Sequence, residues 1–169
     1  SIPPGSIYFG GTDPGRFVVT ALMKSHADGK PFFMLSQNPL ADVTYLHYLR
    51  AMYGGKIQTP TDAELQKSIQ DYTADARRRF AHDQQFPNEP RELKPGEDVR
   101  LDANGQIQMS GPMNVIGIRE MLTKTIFDKN PGREFYVEES FPLDWMYPYL
   151  EPHGLIMKIN RQPLAELSD

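Results

Sequence analysis

The chain has 169 residues, of which 39% are hydrophobic and 11% aromatic, and it carries a formal net charge of −4. This composition is typical of one globular domain, and the length suffices for a core without metal or disulfide crosslinks. The sequence contains no cysteine, which excludes disulfides, thiolate catalysis and cysteine-based zinc sites. No stretch of the sequence approaches the roughly 20 apolar residues of a membrane-spanning helix.

The first third of the chain alternates predicted strands with predicted helices. Asp13-Pro14 predicts a helix start, because Asp caps helices and Pro fits the first helical position. Gly54-Gly55 predicts a helix end. The predicted bounds are 6–10 and 31–36 for two buried strands, and 13–28 and 40–53 for two helices.

The middle of the chain is predicted as an insertion between the second and third core strands. Thr61 to Glu64 form a capping box, which predicts a helix from there to about residue 82. After a loop rich in proline and charge, Asn104-Gly105 predicts a hairpin over residues 98–109. We place the whole insertion at about residues 56–111.

The last third returns to the alternation of helices and strands, and together the elements predict an α/β fold. The predicted bounds are 112–129 and 142–150 for helices, and 134–138 and 155–160 for strands. Strands that alternate with helices predict a mainly parallel central sheet flanked by helices, in a Rossmann-like three-layer arrangement. We interpret residues 1–169 as one such domain, with a helix and a hairpin inserted.

Polar residues follow three of the predicted core strands and predict a ligand crevice. In open parallel sheets, ligands bind beyond the carboxyl ends of the strands. The polar and acidic side chains at these strand ends could form hydrogen bonds to sugar hydroxyls or hold a divalent cation. Because neighbouring residues of a strand point to opposite faces, only one of Glu138 and Glu139 can enter the crevice. The residues predicted to line it are Gly11, Thr12, Asp13, Arg16, Gln37, Asn38 and Glu139.

The glycine-rich stretch GGTDPGRF at residues 10–17 is not predicted to bind a nucleotide phosphate. Gly10 and Gly15 have the spacing of a phosphate loop, but Arg16-Phe17 stands where such a loop has Lys and a hydroxyl residue. Asp13 would also repel a phosphate. The alternative is structural: the glycines permit backbone angles that a Cβ forbids, and Asp13 only caps a helix.

No nucleophile, catalytic triad or metal-ligand spacing is recognisable, so we expect no metal, no cofactor and no turnover by the isolated domain. The one basic cluster, Arg77 to Arg79, fits a solvated helix face better than nucleic-acid binding. The aromatic segment from Asp144 to Gly154 fits core packing, and docking of a partner or stacking on a sugar is its alternative.

Three blocks of the sequence resemble one family of bacterial membrane proteins. The blocks are IYFGGTDPGRF, MLSQNPLADVTYLHYLRAMYG and FYVEESFPLDWMYPYLEPHGLIMKINR, which together make up about a third of the chain. They are similar to the region after the last membrane helices in large, multi-spanning, protein O-mannosyltransferase-like proteins of the glycosyltransferase-C type. Where many of those proteins have Asp-Asn-Asp, this chain has Thr12-Asp13-Pro14, which leaves Asp13 as the main acidic residue of that motif. Residues 56–111 have no counterpart.

The resemblance implies an extracytoplasmic accessory domain that works beside a membrane-embedded catalytic part of the same chain. Its expected role is to position an acceptor or a lipid-linked sugar, at the periplasmic face of a bacterial membrane and without nucleic acid. Two alternatives stay open from the residues alone. One is a free-standing α/β enzyme or ligand-binding domain with its site at the strand ends, and the other is a structural module that docks a partner protein.

Overall fold

The computed structural model of the chain describes residues 2–11 and 32–164. Within these ranges the chain forms seven β-strands, three α-helices and two 3-10 helices. The strands are β1 (Ile7–Gly10), β2 (Phe33–Ser36), β3 (Asp98–Leu101), β4 (Ile107–Ser110), β5 (Phe135–Glu138), β6 (Leu150–His153) and β7 (Ile156–Ile159). The helices are α1 (Val43–Tyr53), α2 (Asp62–Gln85) and α3 (Pro112–Lys129), and the 3-10 helices span Asn38–Ala41 and Asp144–Tyr149.

Five strands form one mixed sheet in the order β2-β1-β5-β7-β6. Strand β1 pairs in parallel with both β2 and β5, whereas β7 runs antiparallel to β5 and to β6. The predicted α/β class and the parallel pairing of the first two strands are therefore confirmed. The mainly parallel, Rossmann-like arrangement is not confirmed, because the last predicted strand enters the sheet antiparallel.

The antiparallel part of the sheet comes from an unpredicted hairpin, formed by β6 and β7. Residues 142–150 were expected to form a helix, but only the 3-10 helix Asp144–Tyr149 forms there, and β6 begins at the next residue. A two-residue turn, Gly154-Leu155, joins β6 to β7, and Gly154 has a φ of 69°. A glycine at the first central position of a two-residue turn is typical of hairpins. The turn therefore returns the chain antiparallel, where a helical crossover would have kept it parallel.

Alternation of side chains along the strands places the apolar core on the sheet face that the helices cover. Ile7, Phe9 and Leu35 point to this face and are fully buried. The helices contribute leucines and isoleucines to the same cluster, among them Leu46, Leu49, Leu65, Leu122 and Ile126. Because α1, α2 and α3 share one core with the sheet, the strand ends are held on a common rigid base.

Local capping explains where the helices begin. Thr61 and Glu64 form the predicted capping box, and α2 starts at the next residue after Thr61. Asp42 accepts a hydrogen bond of 2.7 Å from the Thr44 amide and starts α1. The helix predicted from residue 40 is therefore divided, with a 3-10 helix before Asp42 and α1 after it. The predicted hairpin is confirmed as β3 and β4, which form a two-stranded sheet of their own.

Two tyrosines of α1 cover the outer edge of β2. The hydroxyl of Tyr53 donates a hydrogen bond of 2.7 Å to the carbonyl of Met34, and the amide of Ser36 donates one of 2.8 Å to the hydroxyl of Tyr45. Burial raises the pKa of Tyr53 to about 12, so its hydroxyl keeps its proton at neutral pH. Edge strands present unpaired backbone N–H and C=O groups that can pair with other chains. Here the two tyrosine hydroxyls form hydrogen bonds with such groups of β2.

Replacing Tyr53 by Phe is expected to lower the free energy of unfolding by about 1 kcal/mol, because the carbonyl of Met34 loses this hydrogen bond. Urea denaturation of the purified variant measures the loss. Tyr48→Phe is the matched control, since Tyr48 is 52% exposed on the same helix. Equal stabilities of the two variants would show that the edge contact contributes nothing.

Candidate functional site

The carboxyl ends of the three parallel strands meet at one edge of the sheet. Strands β1, β2 and β5 end at Gly10, Ser36 and Glu138, in register with one another. The residues that follow each end are tied together by hydrogen bonds between the three segments. We call this place the crevice, and it is defined by Gly11, Gln37, Asn38, Glu138 and Phe141.

Three of the predicted site residues are brought together in the crevice. The side-chain amide of Asn38 donates a hydrogen bond of 2.8 Å to the carbonyl of Gly11, and that of Gln37 donates one of 3.0 Å to the carbonyl of Phe141. Gln37 is fully buried, whereas Asn38 is exposed. The loops after β1, β2 and β5 are thereby fixed to one another. The predicted site residues Thr12, Asp13 and Arg16 lie outside the described residues.

The structure places Glu138, and not Glu139, in the crevice. Glu138 is 8% exposed, and its carboxylate accepts hydrogen bonds of 2.9 Å from the Gly11 amide and 3.0 Å from the Ser140 hydroxyl. Glu139 is exposed in the turn after β5. Glu139 is the residue predicted to line the crevice, and in the structure the neighbouring Glu138 occupies that position. Val137 points into the core, so alternation sends Glu138 to the other face, and β5 ends before Glu139.

Gly11 is required by space rather than by backbone angle. A Cβ on residue 11 would lie 2.1 Å from Cγ of Phe141, which no side chain can accommodate without movement. Gly11 thus has a structural reason, which is the close approach of Phe141 and not the backbone angles that a Cβ forbids. The close approach lets the Phe141 segment pass directly over the end of β1.

Arg119 of α3 reaches the crevice from outside the three strand ends. The residue is 7% exposed, and its guanidinium donates a hydrogen bond through Nη1 to Oδ1 of Asn38. Its Cζ lies 5.9 Å from the ring centroid of Phe141. Burial lowers the pKa of Arg119 below the usual arginine value. Within residues 2–11 and 32–164, it forms no ion pair with a carboxylate, and its Nε is buried without a hydrogen-bond partner.

A shallow depression of about 230 Å³ adjoins Arg119 and brings Glu120 to the same place. The carboxylate of Glu120 accepts a hydrogen bond of 3.3 Å from the Asp144 amide, and Nζ of Lys94 lies 3.8 Å from it. Burial raises the pKa of Glu120. The depression therefore combines a buried cation with a carboxyl group that is easier to protonate than a surface glutamate.

Gln37 adds an unsatisfied acceptor to the crevice. Its Oε1 is buried and has no hydrogen-bond partner in the part of the chain that the structure describes. An unpaired buried polar atom costs free energy, so each one in a native structure calls for an explanation. Two such atoms, Oε1 of Gln37 and Nε of Arg119, occur in residues that belong to the crevice or bond to it. One is an acceptor and the other a charged donor.

No local sequence signal marks Arg119 and Glu120 as site residues. Both residues lie in the middle of α3. Arg119 is 81 positions along the chain from Asn38, its hydrogen-bond partner. The only signal available was two adjacent charged residues on a helix that also carries an apolar face. The aromatic segment packs as core only in part: Nε1 of Trp145 donates a hydrogen bond of 2.9 Å to Thr123 and its ring contacts Phe127, whereas Tyr147 is 61% exposed.

Comparisons with protein-family models, with curated proteins and with solved structures found no match for this chain. No helix in the described ranges has the length and apolar character needed to cross a bilayer. The described residues also contain no group of three or more His, Asp or Glu side chains placed to hold a metal ion.

Proposed function

We propose that this chain is an accessory ligand-binding domain whose crevice holds the phosphate-bearing end of a lipid-linked sugar. In this proposal it works beside the membrane-embedded catalytic part of the same chain, at the extracytoplasmic face of a bacterial membrane. The observation that carries the proposal is Arg119, a guanidinium that is 7% exposed and has a single carboxamide oxygen as its hydrogen-bond partner in the described chain.

An unpaired buried cation is costly, which favours a role in binding an anion. Removing a charge from water is unfavourable unless an opposite charge or several hydrogen bonds offset it. Arg161 is an arginine with a structural role, because its guanidinium donates hydrogen bonds to the carbonyls of Phe127, Asn130 and Arg133 at and beyond the end of α3. Among the described residues, Arg119 has no comparable set of acceptors. A phosphate or carboxylate group of a ligand would supply them.

The groups around Arg119 favour a ligand that also carries hydroxyls. Oε1 of Gln37 is an acceptor in need of a donor, and the carboxyl of Glu120 lines the neighbouring depression. Sugar hydroxyls donate and accept hydrogen bonds, and so they suit both groups. Strands β2, β1 and β5 are parallel neighbours, and their carboxyl ends are where Rossmann-like sheets hold ligands, which also supports this location.

The membrane context of the proposal rests on the three sequence blocks that resemble O-mannosyltransferase-like proteins. These blocks include β1, most of β2 with α1, and β5 through β7. The crevice residues Gly11, Gln37, Asn38 and Glu138 belong to them, whereas Arg119 does not. The full reading frame tests the context: several stretches of about 20 apolar residues before Ser1 are expected. A frame without such stretches would leave a free-standing binding domain.

Binding of mannose 1-phosphate tests the crevice directly. Isothermal titration calorimetry is expected to detect saturable binding of mannose 1-phosphate, tighter than that of inorganic phosphate or mannose alone. Arg119→Gln is expected to weaken that binding by about tenfold or more, because a charged hydrogen bond to the phosphate is lost. Arg161→Gln is the matched control, and its binding constant is expected to stay at the wild-type value.

Stability of the same two variants separates a binding role from a structural one. Arg119→Gln is expected to change the free energy of unfolding by less than about 1 kcal/mol, because the lost hydrogen bond is offset by relief of the buried charge. Arg161→Gln is expected to cost more, since three carbonyls lose their donor. Strong destabilisation by Arg119→Gln with unchanged binding would refute the proposed role of Arg119.

A further inference from the structure

We propose that the cavity between α2 and residues 91–97 is a second ligand site, which takes an anionic group carried on an apolar body, such as an alkyl phosphate. It lies within the insertion at about residues 56–111, and it does not depend on the proposed function of the crevice. Three features carry the inference: the size of the cavity, the engagement of its carboxylates, and two cations left available at its rim.

The cavity has the size and lining of a small-molecule site. Its volume is about 560 Å³, within the range of roughly 300 to 1,000 Å³ that is usual for ligand pockets. Phe80 of α2 forms one wall, and Leu93 and Pro95 of the loop contribute further apolar surface. This lining suits a short alkyl or isoprenoid segment better than a bare ion.

The two carboxylates at the cavity are already used to hold the loop in place. Asp83 accepts hydrogen bonds of 2.8 Å and 3.2 Å from the amides of Glu92 and Leu93. Glu97 has a fully buried side chain, and its two carboxylate oxygens accept hydrogen bonds from Nη1 and Nη2 of Arg79. The loop is therefore fixed to α2 before any ligand arrives, and pre-organisation of this kind lowers the entropy cost of binding. Neither carboxylate is free to attract a cation.

The cations that line the cavity are less engaged. Arg91 is exposed and forms no hydrogen bond or ion pair within the described part of the chain. Nζ of Lys94 lies 3.4 Å from Asp144 and 3.8 Å from Glu120, longer than the roughly 2.8 Å of a strong charged hydrogen bond. The side-chain charge available to a ligand is therefore positive. A ligand with an anionic group and an apolar body would place the anion beside the rim cations and the apolar body against the apolar walls.

Decyl phosphate, inorganic phosphate and decanol are the probes that test this site by calorimetry. Decyl phosphate, kept below its micelle concentration, is expected to bind with one-to-one stoichiometry, and more tightly than either partial probe. The double variant Arg91→Gln/Lys94→Gln is expected to weaken this binding about tenfold or more. Arg77→Gln is the matched control, because it removes an exposed arginine from α2 outside the cavity.

The location of binding is read from backbone amide shifts. Decyl phosphate is expected to shift the amides of Leu93 and Gly96, and to leave that of Gly11 in the crevice unchanged. Equal weakening by Arg77→Gln, or shifts confined to residues outside the cavity, would overturn the proposal. So would wild-type affinity in the double variant.

Vesicles distinguish a membrane lipid from a soluble ligand of the same chemistry. Vesicles of phosphatidylcholine with phosphatidic acid are expected to sediment the protein if the site takes lipid headgroups, and the Arg91→Gln/Lys94→Gln variant then stays in the supernatant. Binding of monomeric decyl phosphate without vesicle binding assigns the site to a soluble amphipathic anion. Sedimentation that is unchanged in the double variant would contradict the site, because attraction to the vesicle would then lie elsewhere.

Discussion

Replacing Glu97 by Gln is expected to lower the free energy of unfolding by roughly 3 kcal/mol. The Glu97 side chain is fully buried and meets the Arg79 guanidinium through two parallel hydrogen bonds, one of 2.9 Å between Nη2 and Oε1. It also accepts the hydroxyl of Tyr72. Removing one charge of a buried pair costs about 3 to 5 kcal/mol, and Asp75 at 2.7 Å from Nε of Arg79 keeps the loss near the lower end.

Equilibrium denaturation of the variant measures this loss, with Asp71→Asn as the control on the same helix. Asp71 pairs with Lys67 at 2.6 Å, but both side chains are about half exposed or more, so we expect an effect below about 0.5 kcal/mol. Similar losses in the two variants would show that burial does not increase the contribution of the Glu97–Arg79 pair to the free energy of unfolding.

The same carboxylate is expected to make stability depend on pH in the acid range. Burial acts to raise the pKa of Glu97, but hydrogen bonds from Arg79 and Tyr72 outweigh it and lower the pKa from 4.5 to about 2. The unfolded chain therefore binds the proton first as pH falls. This contribution is fully present above about pH 4.5 and is lost toward pH 2, so the slope of stability with pH there should be smaller in Glu97→Gln.

Replacing Gly117 by Ala is expected to destabilise the chain by about 2 kcal/mol, although alanine favours helices. A Cβ on residue 117 would lie 2.2, 2.7 and 2.9 Å from three ring carbons of Tyr72. The ring cannot move away freely, because its hydroxyl is bound to Glu97. Overpacking of this kind costs about 1 to 3 kcal/mol, which exceeds the gain in helix propensity of up to about 1 kcal/mol.

Gly132→Ala is the control for this substitution, since no atom of the described residues lies within 4 Å of its added Cβ. We expect it to be neutral or slightly stabilising. Combining Gly117→Ala with Tyr72→Leu should cost less than the sum of the two single changes, because the smaller side chain removes the clash. Strict additivity, or a stable Gly117→Ala protein, would show that α2 and α3 can separate at this contact without loss.

Elements with strong local signals could be predicted from the sequence. The capping box at Thr61 starts α2 as expected, and Asn104-Gly105 lies in the turn of the predicted hairpin. The runs of β1 and β5 are fully buried and have the continuous apolar pattern of parallel strands, and the apolar run of β2 is partly buried. In each case, a few neighbouring residues determine the local geometry.

Features that depend on distant contacts could not be predicted in the same way. The direction of β7 depends on the two-residue turn at Gly154-Leu155, which was interpreted only as a break after a helix. Arg119 enters the crevice because α3 packs against the 3-10 helix Asn38–Ala41 that follows β2, and no spacing in the sequence relates it to Asn38. The choice between Glu138 and Glu139 required the exact end of β5, where alternation of side chains stops.

The side-chain Nε–H resonance of Arg119, followed by NMR during titration with mannose 1-phosphate, tests the role of the crevice most directly. Nε of Arg119 and Nε of Arg161 are both buried without a partner in the described chain, so Arg161 is an internal reference. We expect the Arg119 signal to shift saturably together with the Gly11 amide, while the Arg161 signal stays in place. Saturable binding that leaves the Arg119 signal unmoved would contradict the proposal that this residue receives the ligand.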